Sequence, residues 1–418
     1  MAEVDIKRAP LEEKRTINMQ KLLAPLALII IYAFFSIFGR NFLSYTTLVN
    51  ILDSSYYIGF IAIGVTFVII TGGIDLSCGT VMMAAAIIGG TAYKTWGWPM
   101  WLSLLLILAV GVFFGFFNGI LISRLGLPPF IATLGTQMLS LGTGSIVSNV
   151  RSATFPARGA ADSWFKSAFK YITPSDFSFP TGALILFGTA FVAFIILTRT
   201  KMGRYIFAIG SNKDAARLSG VDVRKWEMMA YVVSGLMAGV GGIAFAAVYT
   251  TVMPAQGAGF ELYAIAGTVI GGTSLSGGAG SVAGTMIGVY IMSVLRAGLP
   301  SMNLQAQYQT FFTGVVVIGA VLLDIYRVKR ATEVRILTPA QQYQEEMQAT
   351  ISTKNEELAA RADGPEKELI KAEIARMKAE MKTVYRQMRA EERAEQKRQV
   401  AMEKEFEKSL KQEIAKGK

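Results

Sequence analysis

Residues 199–227, RTKMGRYIFAIGSNKDAARLSGVDVRKWE, set Arg199, Lys201, Arg204, Lys213, Arg217, Arg224 and Lys225 beside Asp214, Asp222 and Glu227, between two long apolar runs. That interruption constrains the chain more than any other feature. Lys or Arg at a bilayer centre costs on the order of 2.5–3.5 kcal/mol, so the cluster lies in water, and its positive balance argues for the cytoplasmic side of a membrane. Within it, SNKDAARLSG predicts a short helix, with a Ser/Asn start, an Ala-rich middle and Gly220 as its stop. A brief polar helix between two spans is a surface on which another protein can push.

The apolar runs on either side recur along most of the chain, which is 52% hydrophobic. Several approach the ~20 apolar residues that cross a bilayer. Ten spans are expected, at 22–38, 48–71, 80–93, 102–123, 131–150, 182–198, 228–249, 261–272, 282–295 and 308–326. The first lacks a small-residue cleavage site and reads as a retained span. Trp96, Trp98 and Trp101 form an interface belt, and the paired prolines of LGLPPF end a helix. With basic residues 1–21 inside, ten spans put both termini and 199–227 in the cytoplasm and the 151–180 loop outside.

The fold class expected is an all-α integral membrane protein of about ten transmembrane helices with Gly-rich breaks, followed by a charged cytoplasmic helical tail. Its divisions are an N-terminal segment over 1–21, a permease-like unit over 22–330 and an extension over 331–418. Residues 1–330 hold 23 Lys and Arg against 13 Asp and Glu, whereas 331–418 hold 18 against 17, so the positive excess belongs to the membrane part. Basic cytoplasmic loops explain it without nucleic acid. In the tail, Ile370, Ile374, Met377, Met381, Val384 and Met388 follow a heptad seam, which predicts a helical hairpin or coiled coil. A lone solvated helix is the alternative.

Absences narrow the chemistry. The chain has no histidine, which removes imidazole acid–base catalysis and imidazole metal ligation, and its one cysteine, Cys78, removes an intrachain disulfide. No GxxxxGK[ST] phosphate cradle and no metal-ligand cluster occurs, so no enzymatic activity or bound cofactor is expected, and the energy for active transport comes from another chain. Asp53, Asp75, Glu261, Arg296 and Asp324 are the ionisable residues in or beside the spans, each placed toward a helix end. That placement favours a neutral solute. Thr71, Ser77, Asn118, Thr133 and Thr136 at the breaks, with Glu261 and Ser274, are pathway candidates, although small polar residues also pack helices together. Asp75 stands out in its Gly-flanked break, where capping a helix is its other role. GGIDLS at 72–77 recurs as GGTSLS at 271–276 on the same side, either by chance or as two broken helices lining a pathway.

GGIDLSCG (72–79), PPFIATLGT (128–136), MGRYIFAIGSNKDAARLSGVDV (202–223) and GAGFELYAIAGTVIGGTSLSGGAGSVAGTMIG (257–288) resemble the permease subunits of ABC importers of the ribose/galactose/xylose sugar type. The resemblance runs from about residue 25 to 326. It implies a permease that pairs with a second copy, receives a monosaccharide or glycoside from an extracytoplasmic binding protein and docks on cytoplasmic ATPases that bind the ATP. By that likeness Asn212, Lys213, Asp214, Ala215, Ala216, Arg217, Leu218, Ser219 and Gly220 form the coupling helix. Lipid of the inner membrane is the remaining partner. Three departures stand out: Tyr263 where the family commonly has an acidic residue, Cys78 where a small aliphatic one is usual, and a tail without counterpart. A stand-alone channel or secondary carrier, and a nucleoside as cargo, are the competing readings.

Overall fold

The computed structural model describes residues 19–157, 159–173, 177–332, 339–360 and 365–416. The N-terminal segment through residue 18, and residues 362–364 of the ADGP break in the tail, lie outside them. The chain divides into two compact units, 1–330 and 331–418.

The first unit is built from α1 (Met19–Phe38), α2 (Tyr45–Ile70), α3 (Cys78–Lys94), α4 (Met100–Ser123), α5 (Pro129–Val147), α6 (Trp164–Phe169), α7 (Gly182–Arg199), α8 (Lys201–Ser211), α9 (Lys213–Leu218), α10 (Val223–Val248), α11 (Phe260–Ile270), α12 (Val282–Ser301) and α13 (Ala306–Thr332). A helix stands at each of the ten expected spans. Among the described residues seven are long and apolar enough to cross a membrane, and α1 (over Leu23–Phe38) and α11 are shorter apolar helices. The protein is thus an all-α, multi-pass membrane protein. Boundaries differ where caps decide them. Pro129 occupies the first turn of α5, where its missing N–H costs nothing, so the helix starts two residues before the expected 131. Helix α12 runs on through Pro300 to Ser301 rather than stopping at 295.

Helix α2 is the axis of the unit. Every residue from Asp53 to Ile70 is buried, as befits a helix apolar on all sides. Helices α7, α10, α11 and α12 surround it, and α4 lies along α10. Gly111 and Gly115 of α4 meet Gly235 of α10 backbone to backbone, an approach that side chains would prevent.

The two ends of α2 face different neighbours. At its start, Tyr45 Oη donates to the Ser178 carbonyl at 2.5 Å and Lys170 pairs with Asp53 at 2.8 Å, tying it to the 151–180 loop. That loop folds into α6 and short strands β1 (Ala153–Thr154), β2 (Tyr171–Ile172) and β3 (Ser178–Phe179). Strand β2 pairs antiparallel with β3, and β1 with β4 (Thr251–Val252). At its other end, the Ile70 carbonyl accepts from Gly278 N at 2.9 Å, beside α8. The 151–180 and 199–227 segments therefore sit at opposite ends of α2.

In the second unit α14 (Pro339–Ala360) lies antiparallel against α15 (Pro365–Lys416). Ala340 N donates to Glu392 at 2.9 Å near one end and Lys354 pairs with Glu373 near the other. Ile351 and Ile374 are buried between them. The tail is a hairpin, not a lone helix.

Candidate functional site: a polar centre and the corner beneath it

After α2 ends, 71–77 turns back among the helices before α3 begins, and its polar groups must find partners there. Asp75, buried, accepts hydrogen bonds from Ser77 N (2.9 Å), Ser77 Oγ (2.7 Å) and Ser234 Oγ (2.7 Å) of α10. Asn118 Nδ2 of α4 donates to Ser77 Oγ at 2.8 Å, and Tyr231 Oη of α10 to the Ile74 carbonyl at 3.3 Å. Asp75 thus does two jobs: it satisfies the backbone just ahead of α3 and anchors the break to α10.

On the other flank of α3, Glu261 accepts from Gly259 N at 2.9 Å and from Gln137 Nε2 of α5 at 3.1 Å. A Cβ at Gly79 would stand 2.6 Å from Glu261 Oε2, so the first turn of α3 is wedged against this carboxylate. Ser140 Oγ of α5 completes the group by donating to Thr80 Oγ1 at 2.8 Å. Ser234 lies well inside α10 and Gln137 well inside α5. The expectation that Asp75 and Glu261 stay toward helix ends therefore holds only along the chain. In space both carboxylates enter the polar centre, Asp75 from the break ahead of α3 and Glu261 from the first turn of α11, against which α3 is wedged. Both are saturated by donors, which is how a buried carboxylate is tolerated.

Asp75, Ser77 and Asn118 come together as one chain of bonds, and Glu261 stands beside them. Thr133 and Thr136 are buried on α5, Thr133 Oγ1 donating to its own helix at Pro129 O (2.8 Å) and Thr136 Oγ1 having no partner among the described residues. Asn118 Oδ1 is likewise without one. Thr71 and Ser274 do not join. Thr71 Oγ1 donates to Val68 O at 2.7 Å, while Ser274 Oγ donates to Asp324 of α13 at 3.2 Å. Ser234, Gln137, Ser140 and Thr80 escaped the sequence reading because single polar residues within apolar helices look like packing residues. Among the described residues no group of three or more Asp, Glu or Cys is placed to hold a metal. The centre offers hydrogen-bonding groups: hydroxyls, two amides and two carboxylates.

The corner made by α8 and α9 lies where α2 ends. Asn212 caps α9, its Oδ1 accepting from Asp214 N at 3.1 Å and Ala215 N at 2.9 Å, and Gly220 closes the turn at φ +81°. Ala216 is the buried residue of α9, packed with Ile209 and Val223, and Lys213 pairs with the buried Glu227 at 2.9 Å. Asp214, Arg217 and Ser219 are exposed, as is Leu218, at 89%. Behind this exposed face, Gly210 of α8 abuts the Ile70 carbonyl and Gly278 N, and a Cβ at Gly277 would lie 2.9 Å from both Gly72 N and Gly210 O. The two similar Gly-rich breaks, 72–77 and 271–276, thus meet at Gly72 and Ser276, and the end of α8 touches the residues that flank them, Ile70 before the first and Gly277 and Gly278 after the second. Helix α8 itself was not foreseen, since its apolar face hides among charges.

The sequence model of the family described as "Branched-chain amino acid transport system / permease component" matches residues 47–321. Among curated proteins, the ribose import permease of Haemophilus influenzae is 34% identical over 301 residues, covering 72% of this chain and 92% of the relative. That of Bacillus subtilis is 35% identical over 308 residues, 73% and 93% respectively. The fructose import permease of Rhizobium meliloti is 33% identical over 295 residues, 70% and 81%. No solved structure matches. A membrane unit built around a buried axial helix, with a polar break bonded to α4 and α10 and with this likeness spanning most of it, belongs to the family of transport-system permease components.

Proposed function

We propose that the chain is the membrane-spanning subunit of an ABC importer that passes a neutral monosaccharide or glycoside across the inner membrane. A binding protein outside the membrane delivers the solute, ATPase subunits on the cytoplasmic side hold the ATP, and a second permease copy completes the pathway. Both termini are cytoplasmic, 22–330 forms the pathway, and 331–418 is a separate cytoplasmic extension. The family description names branched-chain amino acids, but the full-length relatives are named for ribose and fructose import. The relatives weigh more, because their likeness covers nearly their whole length. A neutral cargo agrees with a polar centre whose carboxylates are already saturated. Thr133, Thr136, Asn118 and Ser77 stand nearest the solute, while Thr71 and Ser274 belong to the moving breaks.

One observation carries the reading. The α8–α9 corner turns the exposed face of α9 outward while Gly210 and Ser211, at the end of α8, rest on the Ile70 carbonyl and on Gly277 and Gly278, so a push on α9 is relayed through α8 to the end of α2, from which the 71–77 break runs into the centre. Asp214 and Arg217 are exposed and only 3.6 Å apart, and such surface pairs contribute about 0–1 kcal/mol to stability. Replacing either by alanine is therefore expected to leave membrane insertion intact and to cut ATP-driven uptake by about tenfold or more. Uptake, ATP hydrolysis and membrane levels measured together check this. Normal coupled uptake in both variants would remove α9 from the coupling role.

A further inference from the structure

Arg296 of α12 is half-buried, and its guanidinium carbon lies 5.4 Å from the ring centroids of Phe260 and Tyr263 and 5.8 Å from that of Tyr57. Tyr57 in turn packs on Phe245 at 5.3 Å and Tyr249 at 6.0 Å. Four helices, α2, α10, α11 and α12, thus close an aromatic cluster around one cation. It lies toward the end of the bundle that carries the 151–180 loop, where the last residue of α12, Ser301, accepts from Arg40 N at 2.8 Å. Among the described residues Arg296 has no carboxylate at ion-pairing distance and donates no hydrogen bond.

A cation among membrane helices is costly and is retained where it has work to do. Ring faces offset part of its charge. They do not satisfy its five N–H donors, which form a rigid fork suited to two neighbouring oxygens. A sugar ring offers both complements, vicinal hydroxyls for the fork and an apolar C–H face for an aromatic ring.

We propose that Arg296, with Phe260 and Tyr263 beside it and the buried Tyr57 behind it, forms a solute-contact site that holds vicinal hydroxyls of a neutral sugar on the guanidinium edge and the sugar's apolar face on the ring of Phe260 or Tyr263. The inference rests on the sugar-import reading and adds to it the residues that select the cargo. Arg296→Lys keeps the charge and loses the fork, and Arg296→Gln loses both. Uptake of labelled D-ribose and D-fructose by the full-length chain, expressed with its ATPase and binding protein, reads the effect, alongside membrane levels and thermal stability. Both Arg296 variants are expected to raise the half-saturating concentration or lower uptake by about tenfold or more for the transported sugar, with levels and stability unchanged. Wild-type uptake by Arg296→Gln overturns the site. So does a loss of membrane level or stability in Arg296→Lys that parallels its loss of uptake, which makes the cluster a packing clamp. Stronger competition by D-ribonate than by D-ribose overturns the assignment to hydroxyls in favour of a carboxylate. If the wild-type chain takes up neither these two sugars nor any of a panel of labelled pentoses, hexoses and glycosides, the sugar-import reading fails and this inference falls with it, an outcome distinct from variants that merely behave as wild type.

Discussion

Gly210→Ala is expected to lower uptake about a hundredfold while leaving the protein in the membrane. In a helix interior alanine is about 1 kcal/mol more favourable than glycine, so local propensity favours the variant. The opposing effect is steric. The added methyl would overlap the Ile70 carbonyl and lie 2.5 Å from Gly278 N, both backbone atoms that cannot rotate aside. Helix α8 must then withdraw from the junction of the two breaks, or the Gly278 N to Ile70 O bond of 2.9 Å must open. Displacements of about 1 Å remote from a working centre can cost about a hundredfold in rate. Gly135→Ala is the matched control. It is also helical, and a Cβ there meets nothing within 4 Å, so near-normal uptake is expected. Equal behaviour of the two variants would show that the junction carries no motion.

Asp75→Ala is expected to be the most destabilising single change at the centre. It strands the Ser77 N–H, the Ser77 hydroxyl and the Ser234 hydroxyl, all buried. A buried unsatisfied polar group costs about 1–3 kcal/mol. Rotation of the hydroxyls recovers part of this, leaving a loss of about 3 kcal/mol or more. Asp75→Asn keeps the shape and one acceptor oxygen, so a smaller loss, about half, is expected. Thermal unfolding of the detergent-solubilised protein checks the order wild type, Asn, Ala. An alanine variant as stable as wild type would mean that the break is held by its neighbours and not by this carboxylate.

Much of this architecture is legible in the chain because membrane helices announce themselves. Backbone groups in hydrocarbon need internal partners, so each apolar run becomes a helix, and Pro128–Pro129 and Gly220 mark where helices start and stop. The α9 cap was readable from Asn212, and Asp75, Ser77 and Asn118 were each readable as candidates, but that they bond to one another was not, since Asn118 sits within α4 and meets the break only in the packed bundle. Ser234 and Gln137 were not readable, since which face of α10 or α5 meets the break depends on tertiary packing. The same limit explains Asp75 and Glu261. Near helix ends in sequence, they are central in space because 71–77 turns back among the helices and the first turn of α11 packs against α3. Arg296 was visible as a rare charge, but its aromatic setting required four helices to converge. The tail hairpin followed from its heptad seam, whereas the pairing of Ala340 with Glu392 depends on the register of α14 against α15.

The most direct test of the coupling claim uses the chain's own composition. Cys78, its one cysteine, is buried, so Leu218→Cys introduces a single accessible thiol at a position 89% exposed in this chain. The variant is to be labelled with a membrane-impermeant maleimide in intact cells and in inverted vesicles, with and without the ATPase subunit. Labelling from the cytoplasmic face alone, suppressed when the ATPase is present, is the expected result. Labelling from outside intact cells, or a cytoplasmic reaction that the ATPase leaves unchanged, would contradict the account.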